Sequence, residues 1–407
     1  MRKFVVTLAA CLGIGTISLT SEAQVSIMGQ PSSGAIVSPR AKYEPAGDKV
    51  YHGASLPETW DENGLRRQIQ NYSSAAGKRL SVVTWFAATY EGGRIKTWNG
   101  NYADSLARVK RLGALSLIKF STQQDGATSQ QKNAADLRKI SMGAWDDYFA
   151  NAAQVVRDFG GPVFISIDHE MNGNWYPYSQ AYPNSGVTAN DFILAWRRIV
   201  DVFRKNGANN AAFVWSPNVP DVGGIPFSAY YPGDSYVDWI GVSFYSGNDP
   251  LAMSTIYRTY AAKKPFFVTE WATSPEKSRY NNRFPGDAAW VKQFFGALTT
   301  MYPRVKAISW FNWNKSDGNH TLTRVPDQAK AYAQDIAASR YLDQAIISGG
   351  GPNTVEVPRL DRGAPEIRLR EVVPVERERV EAPRVVAPPV VTPRRERLRL
   401  QIVPVQR

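Results

Sequence analysis

The stretch PVFISIDHEMNGNWYPY (162–178) changes character half-way along. Its first part is an apolar run of strand length, and the run stops at an acid, Glu170, preceded by His169. Asn-Gly turn chemistry and a cluster of Trp and Tyr follow at once. His169-Glu170 would open the zinc-protease pattern H-E-x-x-H, in which two histidines four residues apart hold the metal. Gly173 stands where the second histidine would be, so that reading fails. What remains is a strand that ends on a carboxylate and is followed by aromatics.

Other runs of this kind recur along the chain. They are LSVVTWFAAT (80–89), ALSLIKFST (114–122), AAFVWSPN (211–218), WIGVSFYS (239–246), PFFVTEWA (265–272) and VKAISWFNWN (305–314), with KVYHGA from Lys49 supplying a first. Each is near strand length and bounded by Gly, Pro or Asn. Helix-length segments with apolar residues at three- and four-residue steps lie between them. ANDFILAWRRIVDVFRKNG (189–207), with Asp191 near its start and Gly207 at its end, is the clearest. Eight strands alternating with helices imply parallel pairing through right-handed crossovers. A span of about 300 residues suits an α/β fold of the (β/α)8 barrel type, with its active site at the C-terminal ends of the strands. A doubly wound open sheet is the alternative; it usually carries an early G-x-G-x-x-G loop, and none occurs here.

Outside 49–347, the expected barrel, the chain differs in kind. Arg2 and Lys3, an apolar run and Ser21-Glu22-Ala23 read as a signal peptide (1–23), which implies a secreted or periplasmic protein. Residues 24–48 read as an aperiodic leader. Residues 348–407 mix Pro, Val, Arg and Glu without an aromatic residue, as a disordered tail does. From 351 to 407 there are 12 Arg, no Lys and 8 acidic residues, 12 − 8 = +4, against +12 for all 407 residues. The tail is therefore expected to touch anionic envelope or polysaccharide rather than nucleic acid, since its Glu residues alternate closely with the Arg. The single cysteine, Cys11, falls in the signal peptide, so the mature chain has no thiolate for catalysis or metal binding. Three scattered histidines add no metal site, and the expectation is an enzyme without a metal or other cofactor. No stretch after the signal is long and apolar enough to span a membrane, and a monomer is expected.

In a barrel the informative positions are strand ends. The fourth strand ends at Glu170 and the seventh at Glu270, each close to a tryptophan, Trp175 and Trp271. Two carboxylates facing one another across a barrel mouth are the equipment for breaking a glycosidic bond, one protonating the leaving oxygen while the other attacks the sugar or activates water. Strand alternation places Ser166, Asp168 and Glu170 inward and Ile165, Ile167 and His169 outward. It also brings the Tyr245 hydroxyl beside Glu270 and makes Lys119 a candidate structural partner for Asp168.

HEMNGNWYPY (169–178), WSPN (215–218), YYPGDSYVDWIGVSFY (230–245), KPFFVTEWA (264–272) and SWFNWN (309–314) together resemble glycoside hydrolase family 26, in order and spacing, from about 50 to 342. The resemblance implies a (β/α)8 barrel of the retaining clan, with Glu170 as general acid/base and Glu270 as nucleophile, their carboxyls about 5 to 5.5 Å apart. It further implies that Tyr245 holds Glu270, and that His169 borders the cleavage subsite. Asn218 is expected to contact substrate, and Trp175 and Trp310 to offer aromatic platforms for sugar rings. Two departures stand out: Ser166-Ile167 replaces a frequent Arg-Pro, and Ser243 replaces a frequent Asp. The activity implied is a secreted retaining endo-β-glycanase acting on a polysaccharide, β-1,4-mannan first. Mixed-linkage β-glucan or exopolysaccharide hydrolysis is the alternative, followed by a non-catalytic glycan-binding barrel.

Overall fold

In a computed structural model of the protein, residues 40–345 are described, apart from 58, 92–93, 96–97, 99–100, 126–136, 246–247, 274–287 and 316–317. The expected signal peptide (1–23), most of the expected leader and the expected tail lie outside the described residues. The chain divides at Leu360, and all described residues fall in the first unit.

Eight strands close the barrel: β1 (Val50–Ser55), β2 (Val82–Glu91), β3 (Leu115–Asp125), β4 (Val163–Ile167), β5 (Ala211–Trp215), β6 (Trp239–Tyr245), β7 (Phe266–Ala272) and β8 (Val305–Phe311). Each pairs in parallel with its sequence neighbour, and β1 pairs with both β2 and β8, so no barrel edge is left open. Buried strands on both faces explain why the runs read as nearly continuous Val, Ile, Phe and Trp.

The helices pack outside. The one expected at 189–207 is α5 (Ala189–Lys205, counting α1 as Glu62–Ala76), and its start is fixed by a reciprocal capping box between Thr188 and Asp191. Phe192, Trp196, Ile199, Val200 and Phe203 form its buried face, each worth about 1.5–3 kcal/mol of apolar burial. Gly207 ends it with φ +77°.

The barrel interior is layered. Tyr51, Leu117, Phe164, Trp239 and Phe267 fill the N-terminal end. Above them lies a belt of small and hydroxyl side chains, in which Thr84 and Ser309 meet across the barrel at 2.7 Å and Thr269 donates to the Val242 carbonyl at 3.1 Å. A methyl group on Gly241 would run into Ser216 Oγ, so glycine is required there. Apolar packing below and small side chains above leave the wide end free for long polar residues.

Residues just before 49, read from sequence as part of an aperiodic leader, pack against the floor of the barrel. Tyr43 sets its ring edge-on against Phe164 (5.9 Å), Lys42 Nζ donates to the Ala211 carbonyl (2.9 Å), and Glu44 pairs with Arg304 (2.7 Å). Trp239 Nε1 donates to the Lys42 carbonyl at 2.8 Å. This segment plugs the floor with one ring and a few backbone carbonyls, and such a plug has no period to read.

Candidate active site

β4 loses its alternation at Ile167, its last residue. Asp168 and Glu170 both adopt positive φ, +43° and +59°, which a non-glycine residue holds only when its surroundings over-determine it. Here they do. Asp168 N donates to the Phe120 carbonyl (2.8 Å), while its carboxylate accepts from Thr122 N (2.7 Å) and Thr122 Oγ1 (2.8 Å). Glu170 N donates to the Ser216 carbonyl at 2.7 Å. The turn costs roughly 1–3 kcal/mol per strained residue, and its effect is to swing consecutive side chains toward one place.

Two sequence expectations are corrected by that turn. His169 does not face the helices: Nε2 lies 3.9 Å from Glu270 Oε1 and 3.1 Å from the Tyr176 hydroxyl. Asp168 does not meet Lys119, because both of its oxygens are occupied by Thr122. Lys119, wholly buried on β3, instead pairs with Glu270 Oε1 at 2.5 Å.

Glu270 therefore has both oxygens engaged, since the Tyr245 hydroxyl donates to Oε2 at 2.7 Å. A register shift in the β6–β7 pairing sets Glu270 opposite Ser243, beneath Tyr245. Glu170 Oε2 accepts a hydrogen bond from Trp175 Nε1 at 2.8 Å. Gly173 permits that contact, because any Cβ there would strike the Trp175 ring.

The electrostatics separate the two acids. Burial, and next the negative charge of Glu270, push the Glu170 carboxyl up to about 7, against the pull of Lys119 and Trp175. Burial also acts to raise Glu270, but the Lys119 ammonium outweighs it and, with the Tyr245 hydrogen bond, holds this carboxyl down at about 2. His169 is driven down to about 3 by burial and by Lys119. It is neutral at ordinary pH, so the ion pair with Lys119 carries the effect on Glu270.

The remaining expected residues divide. Trp175, half-buried, borders Glu170. Asn218 sits at the mouth of β5, but its side-chain amide donates to the Pro220 carbonyl (2.7 Å) and its backbone is bonded to Asn172. Trp310, expected as a sugar platform, is fully buried: it donates to the His320 carbonyl (2.8 Å) and packs on Trp271 and Tyr332. Alternation explains it, since Ser309 and Phe311 point inward on β8 and Trp310 therefore points to the helices. The open aromatic wall consists of Phe86, 36% exposed, against Trp313 (5.4 Å), which stacks on Phe311 (5.7 Å). Phe86 also touches the His169 ring at 5.7 Å. Phe86, Trp313 and the Lys119–Glu270 pair were not anticipated, although a lysine between Ile118 and Phe120 is itself a signal of an inward charge with a partner.

Among the described residues no three His, Cys, Asp or Glu side chains gather as a metal-holding group.

The profile of Glycosyl hydrolase family 26 matches residues 120–290, which include both acids. Endoglucanase H of Acetivibrio thermocellus is 27% identical over 283 residues, 66% of this chain and 29% of its own length. A mannan endo-1,4-beta-mannosidase A and B of Caldalkalibacillus mannanilyticus is 33% identical over 205 residues, 47% of this chain and 36% of its own. Over residues 120–290 the chain is similar to glycosyl hydrolase family 26. It spans about a third of the length of these two relatives. The same barrel is found in Bacillus subtilis mannanase BCman, with a TM-score of 0.52 at 17% identity over 78% of this chain and 93% of that one. Both acids lie within the matched segment, whereas β1, β2, β8 and the Phe86–Trp313 wall lie outside it.

Proposed function

We propose that the protein is a secreted or periplasmic endo-acting β-glycanase that hydrolyses internal β-1,4-mannan bonds with retention. Glu170 is the general acid/base and Glu270 the nucleophile. The observation that carries this reading is the division of the two carboxyls, one kept protonated toward neutrality and the other kept ionised by Lys119 and Tyr245. That is the pairing of donor and anion that double displacement requires. Glu170 protonates the leaving oxygen as Glu270 attacks the anomeric carbon. Glu170 then takes a proton from water, which attacks the same carbon and frees Glu270. His169, Trp175 and the Phe86–Trp313 wall line the space where a sugar would sit, with apolar ring faces against its C–H groups.

Mannan is favoured by the names of several relatives, but an endoglucanase aligns over 283 residues, which makes mixed-linkage β-glucan the second reading. Hydrolysis of galactomannan, glucomannan, mixed-linkage β-glucan and β-1,3-xylan by the full chain, with Glu270→Gln alongside, tests both. Reducing sugar from mannan that vanishes in the variant is expected. Turnover that survives Glu270→Gln contradicts the mechanism, and turnover of β-glucan alone replaces the substrate.

A further inference from the structure

The Lys119–Glu270 pair is an unusual investment for a barrel interior. A lysine with no exposed surface and a carboxylate 5% exposed have been taken out of water together, at a desolvation cost that a structural role alone would not require. The pair also lies at the reacting end of the barrel, not in the apolar floor. Lys119 is opposite Ser166 in the β3–β4 pairing, so the strand beneath Glu170 supplies a small hydroxyl and its neighbour supplies the cation.

We propose that Lys119 is a positioning residue of the reaction: it clamps Oε1 of Glu270 while Tyr245 clamps Oε2, and its charge favours release of the sugar from Glu270. This rests on the double-displacement reading above. In the first step a Glu270 oxygen bonds to the anomeric carbon, the bond from that carbon to the leaving oxygen breaks, and the Glu170 proton passes to the leaving oxygen. Glu270 is then a neutral ester, and the ammonium of Lys119 has lost its anion. In the second step water loses a proton to Glu170 and bonds to the anomeric carbon. The carbon–Glu270 bond breaks, and its electron pair returns to a carboxylate beside Lys119. A fixed cation thus stabilises the charge that develops on the departing carboxylate. Glu270 also faces His169, Glu170 and Tyr178 from the segment after β4, and Tyr245 from β6. Lys119 alone among these combines a charge with direct contact at Oε1.

The test compares Lys119→Met and Lys119→Gln with the wild-type full chain, using an aryl β-oligosaccharide whose leaving group needs no protonation. In both variants the acidic limb of kcat/KM should move to higher pH. Deglycosylation should slow by about 10- to 100-fold, seen as a pre-steady-state burst of the aryl group and a lowered KM. Lys119→Gln keeps an N–H donor and so covers the case in which the methionine variant does not fold. Folded variants with an unmoved acidic limb and no burst would overturn the proposal. Full activity of Glu270→Gln in the same assay would overturn the double-displacement reading itself.

Discussion

Glu170 and Glu270 are the same side chain at the ends of two strands of one barrel, and both are buried, 7% and 5% exposed. They differ in what touches them. Glu170 is touched only by neutral donors, the Trp175 indole N–H foremost, and its strongest charged influence is another carboxylate. Glu270 has a lysine on one oxygen and a tyrosine hydroxyl on the other. Burial without a cation makes a carboxyl a proton donor, whereas burial with one makes it a permanent anion. The chemistry of the cleft is set less by the acids than by their neighbours on β3, β6 and the turn after β4.

Removing the anion should have the largest effect. Glu270→Gln is expected to lower kcat by about 10⁴-fold or more on any substrate. Glu170→Gln should lower it by about 10²- to 10⁴-fold on polysaccharide but far less for the glycosylation step of an aryl glycoside with a good leaving group. Equal losses on both substrates would erase the distinction between the acids.

The next effect is on stability. The folded-state pKa of Glu170 is raised from 4.5 to about 7, so its contribution is complete below pH 4.5 and is lost as pH rises through 7. Chemical denaturation should show Glu170→Gln gaining on the wild type across that interval, by about 3 kcal/mol at most. A constant difference would mean that Glu170 titrates normally.

Tyr245→Phe should cost about 1.5–3 kcal/mol of transition-state stabilisation, the usual worth of a hydrogen bond to a charged group, and move the acidic limb of the rate profile up. An unchanged limb would leave Tyr245 a packing residue. Smallest is Trp175→Phe. It removes a donor that favours ionised Glu170, so the basic limb near pH 7 should rise by about one pH unit or less. A fall of that limb would show that the indole stabilises the protonated form.

Barrel, strand boundaries and the two carboxylates were legible in the sequence because they rest on local signals, apolar runs of strand length that stop at an acid. Alternation worked where the backbone stayed extended: it places Tyr245 beside Glu270, and had it been applied to β8 it would have sent Trp310 to the helices. It failed after Ile167, since nothing in a string of letters announces two successive reversals to positive φ at Asp168 and Glu170, and His169 followed them into the cleft. The Lys119 partner was assigned wrongly for the same reason. Once Asp168 turns back onto Thr122, the nearest anion for the lysine belongs to β7, more than a hundred residues further along.

The most direct test of the division between the two acids is to find which one becomes covalently attached to sugar. The full chain would be incubated with a 2-deoxy-2-fluoro aryl glycoside built on an oligosaccharide it turns over, then digested and mapped by mass spectrometry. A single adduct on Glu270 is expected. An adduct on Glu170, or none while the aryl group is still released, would contradict the assignment of the two roles.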